Sequence, residues 1–313
     1  MISAETLDLP AGFITTIQNA FGDEGRLWLD RLPALVNEAS HRWQLTNVRP
    51  VPNLSYNFVA FAHRPSTSPK SGSALGEDVV LKIGVPNREL TSEMTALRLF
   101  DGHSAVRLLE ANEEHFMFLL ERLQPGQMLS TLEDDDQATH IAADVMLNLW
   151  RPAPSDVRFI KLADWFAGLD KLRPAFNGGT GPFHKQLIEE VEELLPRLFS
   201  ESSPPMLIHG DFHHFNILSS GRGWIAIDPK GVIGPPEYEV GPLLINPWGD
   251  LQKISQLAER RLAILSELLG FSRQMIKDWA LCHAVLSTWW SIQDHESGEF
   301  AIKSAEIFSE IKF

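Results

Sequence analysis

The sequence holds a single cysteine, Cys282. An internal disulfide and a multi-cysteine metal centre are thereby excluded, and the residue reads as a small buried hydrophobe. Positive charge is also scarce: 27 Lys and Arg stand against 41 Asp and Glu, a formal net charge of −14. Phosphate-backbone binding needs clustered cations, so no nucleic-acid partner is expected. An acidic surface suits a cationic small molecule, because a cleft of one sign focuses the field, although many proteins are acidic for solubility alone. No apolar run approaches the ~18–20 residues of a membrane helix. The first ten residues carry Glu5 and Asp8 and no Lys or Arg, unlike the basic start of a signal peptide. These absences leave a cytoplasmic enzyme or binding protein with no membrane partner as the expectation.

What is present is a globular composition: 313 residues, 44% hydrophobic and 22% charged, enough for two structural units or one large bilobal domain. Residues 1–46 predict a helical extension, with apolar residues at three-to-four spacing over Ala11–Asn19 and Arg26–Ala39. Residues 47–124 predict a β-rich lobe. Short strand-type runs surround Phe58 and Val79–Ile83, a Ser-, Pro- and Gly-rich loop spans 64–77, and one helix runs Glu89–Phe100. Residues 125–313 predict a helical lobe, interrupted by a strand-like island at Met206–Asp228. The acidic run Glu133–Asp136 is expected to cap or solvate a helix start. Asn177–Pro182 lacks the Gly-Lys-Ser/Thr ending of a phosphate loop and reads as a linker.

Chemistry concentrates in the island. An apolar strand ends at His209, a turn presents Asp211, Asn216 opens a second apolar run, and Ile225–Ile227 delivers Asp228. The five-residue step from Asp211 to Asn216 matches the kinase catalytic loop, where the Asp accepts the hydroxyl proton and the Asn holds Mg²⁺. Asp228 stands where the second metal-binding Asp belongs, and oxygen ligands suit Mg²⁺. Val79-Val80-Leu81-Lys82-Ile83 supplies a lysine on an apolar strand. Its ammonium demands a counter-charge, either Glu93 on the next helix, which is preferred, or Glu89. Ser55 and Asn57 lie between two strands where a phosphate loop belongs, and the backbone of Glu121 and Leu123 is expected to hydrogen-bond adenine. His209 and His213 are expected to orient the loop in preference to binding zinc, and His214 to face water. Trp279, Trp289 and Trp290 are expected to pack in a core, with Trp290 also a candidate wall for an acceptor.

The His209-Gly210-Asp211, His213 and Asn216 pattern, H-G-D-x-H-x-x-N, resembles the aminoglycoside phosphotransferase family, kinase-like in fold. Asp228-Pro229-Lys230, Lys82-Ile83, Leu97–Gly102 and His283–Ser287 are similar to its streptomycin 6-kinase and hydroxyurea phosphotransferase branch. The resemblance covers about residues 47–295. It implies an α+β, bilobal protein-kinase-like fold with a small β-rich N-lobe and a larger helical C-lobe. It further implies ATP and Mg²⁺ as cofactors and a small-molecule hydroxyl as acceptor, such as that of an aminoglycoside or hydroxyurea. Where the family often shows Gly-Asp-Pro-x-x-Asp-Leu-Ala beside the acceptor pocket, this chain has Gly234–Gly241 with Pro235 and Glu239 in place of the aspartates. Glu237, Glu239, Trp290 and Asp294 are the expected acceptor-side residues. The departure keeps open a second expectation, a nucleotide-binding module without turnover.

Overall fold

The computed structural model describes residues 7–66, 76–154 and 159–313; most of the expected 64–77 loop, and Met1–Thr6 of the opening segment, lie outside the described residues. The chain divides into two units, one of residues 1–94 with 106–123 and one of 95–105 with 124–313.

The first unit opens with α1 (Ala11–Arg42), one run of helix broken in geometry only at Gly22, whose φ is 54°. The gap between the two expected helical segments is thus a kink, at a residue without the Cβ that penalises positive φ. Strands β1 (Thr46–Pro50), β2 (Asn57–Arg64) and β3 (Glu77–Gly84) follow, then helix α2 (Arg88–Phe100), which from Thr95 on is counted with the second unit, and strands β4 (Leu108–Asn112) and β5 (Met117–Glu121). They form an antiparallel sheet in the order β1-β2-β3-β5-β4.

Alternation along a strand sends successive side chains to opposite faces. Phe58, Ala60, Ala62, Val79, Leu81 and Ile83 therefore share one face, and they share a core with Phe13, Ile17, Trp28, Leu32 and Val36 of α1. The helical extension is the cover of this sheet. Lys82, one residue out of phase, points to the other face, where α2 brings Glu93.

After residues 95–105, the second unit continues with β6 (Pro125–Met128) and α3 (Asp135–Leu149), then β7 (Arg151–Pro152), β8 (Ile160–Lys161), α4 (Leu162–Ala167), α5 (Leu172–Ala175) and α6 (Lys185–Glu201). Next come β9 (Met206–Ile208), β10 (Ile217–Ser220), β11 (Gly223–Ala226), β12 (Val232–Gly234), α7 (Val240–Leu244), α8 (Leu251–Leu269), α9 (Arg273–Gln293) and α10 (Glu299–Glu310). Two small sheets, β11-β10-β6 and β7-β9-β12-β8, carry the island. Side chains cap three helix starts, Asp134 on α3, Asp250 on α8 and Ser272 on α9, each supplying an acceptor to an otherwise orphaned N–H.

Asp135, next to the α3 cap, does something the acidic run did not announce: it accepts at 2.8 Å from the buried Arg261 of α8. Helix α9 is buried on all sides from Ile276 to Leu286, the pattern of a central core helix. Among the described residues no helix is long and apolar enough to cross a membrane.

Leu32 is fully buried in α1 and Leu27 is 64% exposed on the same helix. Urea denaturation should find Leu32→Ala destabilised by about 2–5 kcal/mol and Leu27→Ala within about 0.5 kcal/mol of wild type.

Candidate active site

Strand β9 delivers His209 and then turns. Gly210 has φ +89°, and a Cβ there would lie 2.5 Å from Val232 Cγ2 and 3.2 Å from the Trp165 ring. Only glycine fits both the conformation and the space. The backbone N–H groups of His209 and Gly210 donate to the two carboxylate oxygens of Glu239, at 2.6 and 2.9 Å. His209 Nε2–H donates to the Ile227 carbonyl at 2.8 Å, and Nδ1 accepts from Asp211 N at 3.2 Å. The His209 carbonyl in turn accepts from Lys230 N and Gly231 N. Asp211 is thus presented from a turn whose backbone groups are tied to three neighbouring segments.

Asn216, at the end of the short 3₁₀ turn His214–Asn216, donates Nδ2–H to the Asp211 carbonyl at 3.0 Å. Its own carbonyl accepts from Ile227 N, which fixes the approach to Asp228. Asp228 lies in the left-handed region at φ 60°, a conformation Asp tolerates better than most residues. His213 sits beside both groups, Nε2 being 3.6 Å from Asp211 Oδ1 and 3.3 Å from Asn216 Nδ2. Burial opposes ionisation of Asp211, but His213 and the Lys230 ammonium outweigh it and hold the carboxyl below its usual range.

In the first unit, Lys82 Nζ donates to both oxygens of Glu93, at 2.6 and 2.7 Å, with both side chains buried. Glu89, the competing partner, is exposed. The pair lies on the sheet face that also carries Phe118, whose ring centroid is 5.6 Å from Nζ. Ser55 is exposed before β2, Asn57 opens that strand, and Glu121 and Leu123 are half-buried at and after the end of β5. The Glu121 side chain accepts from Arg107 N at 2.8 Å.

Two acceptor-side expectations need correction. Glu239 is fully buried, and its carboxylate faces the catalytic turn from inside. Glu237 is buried too, and its Oε1 accepts from Ser203 N and Oγ at 2.8 and 2.6 Å. Both satisfy backbone donors that burial would otherwise orphan, so neither is available to a substrate. Trp290 and Asp294 remain half-buried at the end of α9. His214 also departs from expectation. It is buried, and neither ring nitrogen has a hydrogen-bond partner among the described residues.

Four contributors were missed. Trp165 of α4 packs beside Gly210 and meets Trp290 edge to face, with centroids 5.2 Å apart. Tyr238 Oη and His283 Nδ1 are 2.8 Å apart behind them. Lys230 Nζ stands 3.9 Å from Asp228 Oδ2. No periodicity marks Trp165, whereas the ammonium two residues after a metal-type aspartate was visible.

Burial pushes His209 and His283 down to about 4 and His214 to about 3, while burial pushes Glu239 up to about 7 against the pull of its two backbone donors. Unfolding therefore lets three histidines take up protons below about pH 6.5, whereas Glu239 releases one between about pH 7 and 4.5. The histidine contribution is fully present above pH 6.5 and is lost as pH falls towards 4; the Glu239 contribution has the opposite sign. Near pH 5.5 the net uptake is about two protons, so stability should fall by roughly 2–3 kcal/mol per unit of acidification. Urea midpoints from pH 7 to 5 check this, and His283→Gln should reduce the slope by about one proton.

The profile of a family described as aminoglycoside/hydroxyurea antibiotic resistance kinase matches residues 61–295. Streptomycin 6-kinase of Streptomyces glaucescens is 31% identical, with 94% of each chain covered. Hydroxyurea phosphotransferase of Kitasatospora aureofaciens is 29% identical over 96% of this chain and 84% of its own. Among solved structures, choline kinase LicA of Streptococcus pneumoniae has a TM-score of 0.62 at 14% identity, over 90% of this chain and 98% of its own. Aminoglycoside phosphotransferase APH(4)-Ia, solved with ADP and hygromycin B, has 0.61 at 15%, over 87% and 97%. These two carry the fold, which is protein-kinase-like. The family match runs from the sheet bearing Lys82 through the turn bearing Asp211 to the helix bearing His283, and by it the chain belongs to the aminoglycoside/hydroxyurea antibiotic resistance kinases, phosphotransferases acting on small-molecule hydroxyls.

Proposed function

We propose that the protein transfers the γ-phosphoryl group of ATP, with Mg²⁺, to a hydroxyl of a cationic aminoglycoside of the streptomycin type, in the cytoplasm where ATP is supplied. The observation that carries the reading is the hydrogen bond from Asn216 Nδ2 to the Asp211 carbonyl. It links the residue that accepts the hydroxyl proton to a residue that holds the metal, so acceptor and phosphate are registered by one rigid turn. The arrangement fits a hard divalent cation. Asn216 spends its amide donor on the backbone and keeps Oδ1 as an oxygen ligand, and Asp228 adds a carboxylate. Among the described residues no group of three or more His, Cys, Asp or Glu could hold a metal by itself. Mg²⁺ commonly takes one or two protein oxygens and completes its shell with phosphates and water, and there it would neutralise charge on the phosphates.

Asp211 orients the hydroxyl and removes its proton, and Lys82, steadied by Glu93, serves the nucleotide phosphates. Ser55, Asn57 and the Glu121–Leu123 backbone serve the rest of the nucleotide. Catalysis of this kind is positioning and charge neutralisation, with no covalent enzyme intermediate. The cationic acceptor is supported by the half-buried Trp165 and Trp290 rings beside the catalytic turn, because a guanidinium binds favourably over an indole face. The reading of a module without turnover rested on the altered Gly234–Gly241 segment. Glu239 keeps a carboxylate there on the turn backbone, and that ground falls away.

Asp211→Asn should lower kcat by about 10²–10⁴-fold with the ATP dissociation constant unchanged, read by coupled ADP release and calorimetry. With streptomycin as acceptor, kcat/KM should fall as ionic strength rises, as screening weakens a steered cation. Turnover of hydroxyurea with none of streptomycin would reject the cationic acceptor and leave the phosphotransferase chemistry intact.

A further inference from the structure

The catalytic turn presents an ammonium that the reading above does not use. Lys230 is held at its backbone, N–H to the His209 carbonyl at 2.8 Å, with Gly231 N–H on the same oxygen at 3.1 Å. The carbonyl that fixes it lies two residues before Asp211. Its Nζ is 3.9 Å from Asp228 Oδ2, and its charge is among those that keep Asp211 ionised. One lysine therefore acts on both carboxylates of the turn. As an ion pair it is too long and too open to matter much for stability, with side chains 26% and 35% exposed.

We propose that Lys230 is a catalytic cation for the phosphoryl group and, before a divalent cation binds, its competitor for Asp228. The inference rests on the assignment of Asp211 and Asp228 given above. In the transfer, the acceptor oxygen forms a bond to the γ-phosphorus as the bond to the β,γ-bridging oxygen breaks. The electron pair of that bond leaves with ADP, and the acceptor proton passes to Asp211. Lys230 keeps its proton throughout. It balances the negative charge spread over the equatorial oxygens of the transferring group, the place where a fixed cation contributes most. Pairing with Asp228 keeps the ammonium positioned when no metal is bound, and it makes metal entry work against one positive charge.

Two readouts move in opposite directions. Without nucleotide, Mn²⁺ titrated calorimetrically should bind Lys230→Met about tenfold tighter than wild type, because a like charge has left the site; Lys230→Arg should match wild type. At saturating Mg²⁺, ATP and acceptor, Lys230→Met should lose about 10²–10³-fold in kcat, and Lys230→Arg should recover part of it. A merely structural lysine would not tighten Mn²⁺ while slowing turnover. Should Lys230→Met fail to fold, Lys230→Cys alkylated to aminoethylcysteine answers instead. The native Cys282 is buried, so alkylation is selective, and activity should rise on restoring the ammonium. Mn²⁺ affinity within twofold of wild type, kcat within threefold, or no gain on alkylation would overturn the proposal. Asp211→Asn separates the levels: full activity in that variant removes the catalytic assignment itself, whereas an inactive Asp211→Asn beside a fully active Lys230→Met removes only the role of Lys230.

Discussion

The turn that presents Asp211 depends first on one buried carboxylate. Glu239 receives the N–H groups of His209 and Gly210, consecutive donors at the point where β9 ends. A strand that stops inside a core leaves donors without a ladder partner, and an unpaired buried N–H is costly. Glu239 supplies both acceptors, and the turn can then leave the strand without losing its backbone hydrogen bonds. The same turn is gripped from the other side by Ile227 on His209 and by Lys230 and Gly231 on the His209 carbonyl. Asp211 is consequently held by backbone contacts, which leaves its own carboxylate for the proposed chemistry.

Charge is buried in two ways. Lys82 and Glu93 meet in a two-point contact on the sheet face away from α1. Removing either partner would take the direct counter-charge from a buried ion, the costly half of any buried ion pair. Arg261 and Asp135 join α8 to α3, with Arg261 also donating to the Asn246 carbonyl. Among the described residues, that second network touches no group assigned to catalysis and fastens helices. A buried ion pair is thus not by itself a sign of function, and the company it keeps decides its meaning.

Legibility in the sequence followed the distance over which each constraint acts. Asp211 and Asn216 could be read because their partnership is five residues long and restricted to a few residue types. Lys82 could be read because strand alternation made a lysine among Val80, Leu81 and Ile83 conspicuous. Glu239 was seen as a replacement and misread as facing substrate, since its partners lie 29 and 30 residues away. Nothing local distinguishes a carboxylate turned inward from one turned out. His214 failed for a similar reason: a His-His pair reads as polar, and only tertiary packing buries the second ring. Trp165 looks like one apolar residue of an ordinary helix. It reaches Gly210 because β8, just before it, pairs in parallel with β12.

Helix α9 is enclosed through most of its length and surfaces towards its C-terminal end, at Trp290, Ser291 and Ile292. That distribution divides the helix into a part that selection can hardly alter and a part that it can. Substitution between Ile276 and Leu286 disturbs the packing of the whole unit, whereas exchange at 290–294 changes only what the helix end presents beside Trp165. With the acceptor site proposed beside Trp165, a lineage built on this scaffold would change the molecule it recognises by altering a few residues at one helix end. The cost in stability would be small at these half-buried or exposed positions, and the proposed phosphate chemistry at the turn would stay untouched. New acceptor preferences in this family would then be expected to arise faster than new chemistries.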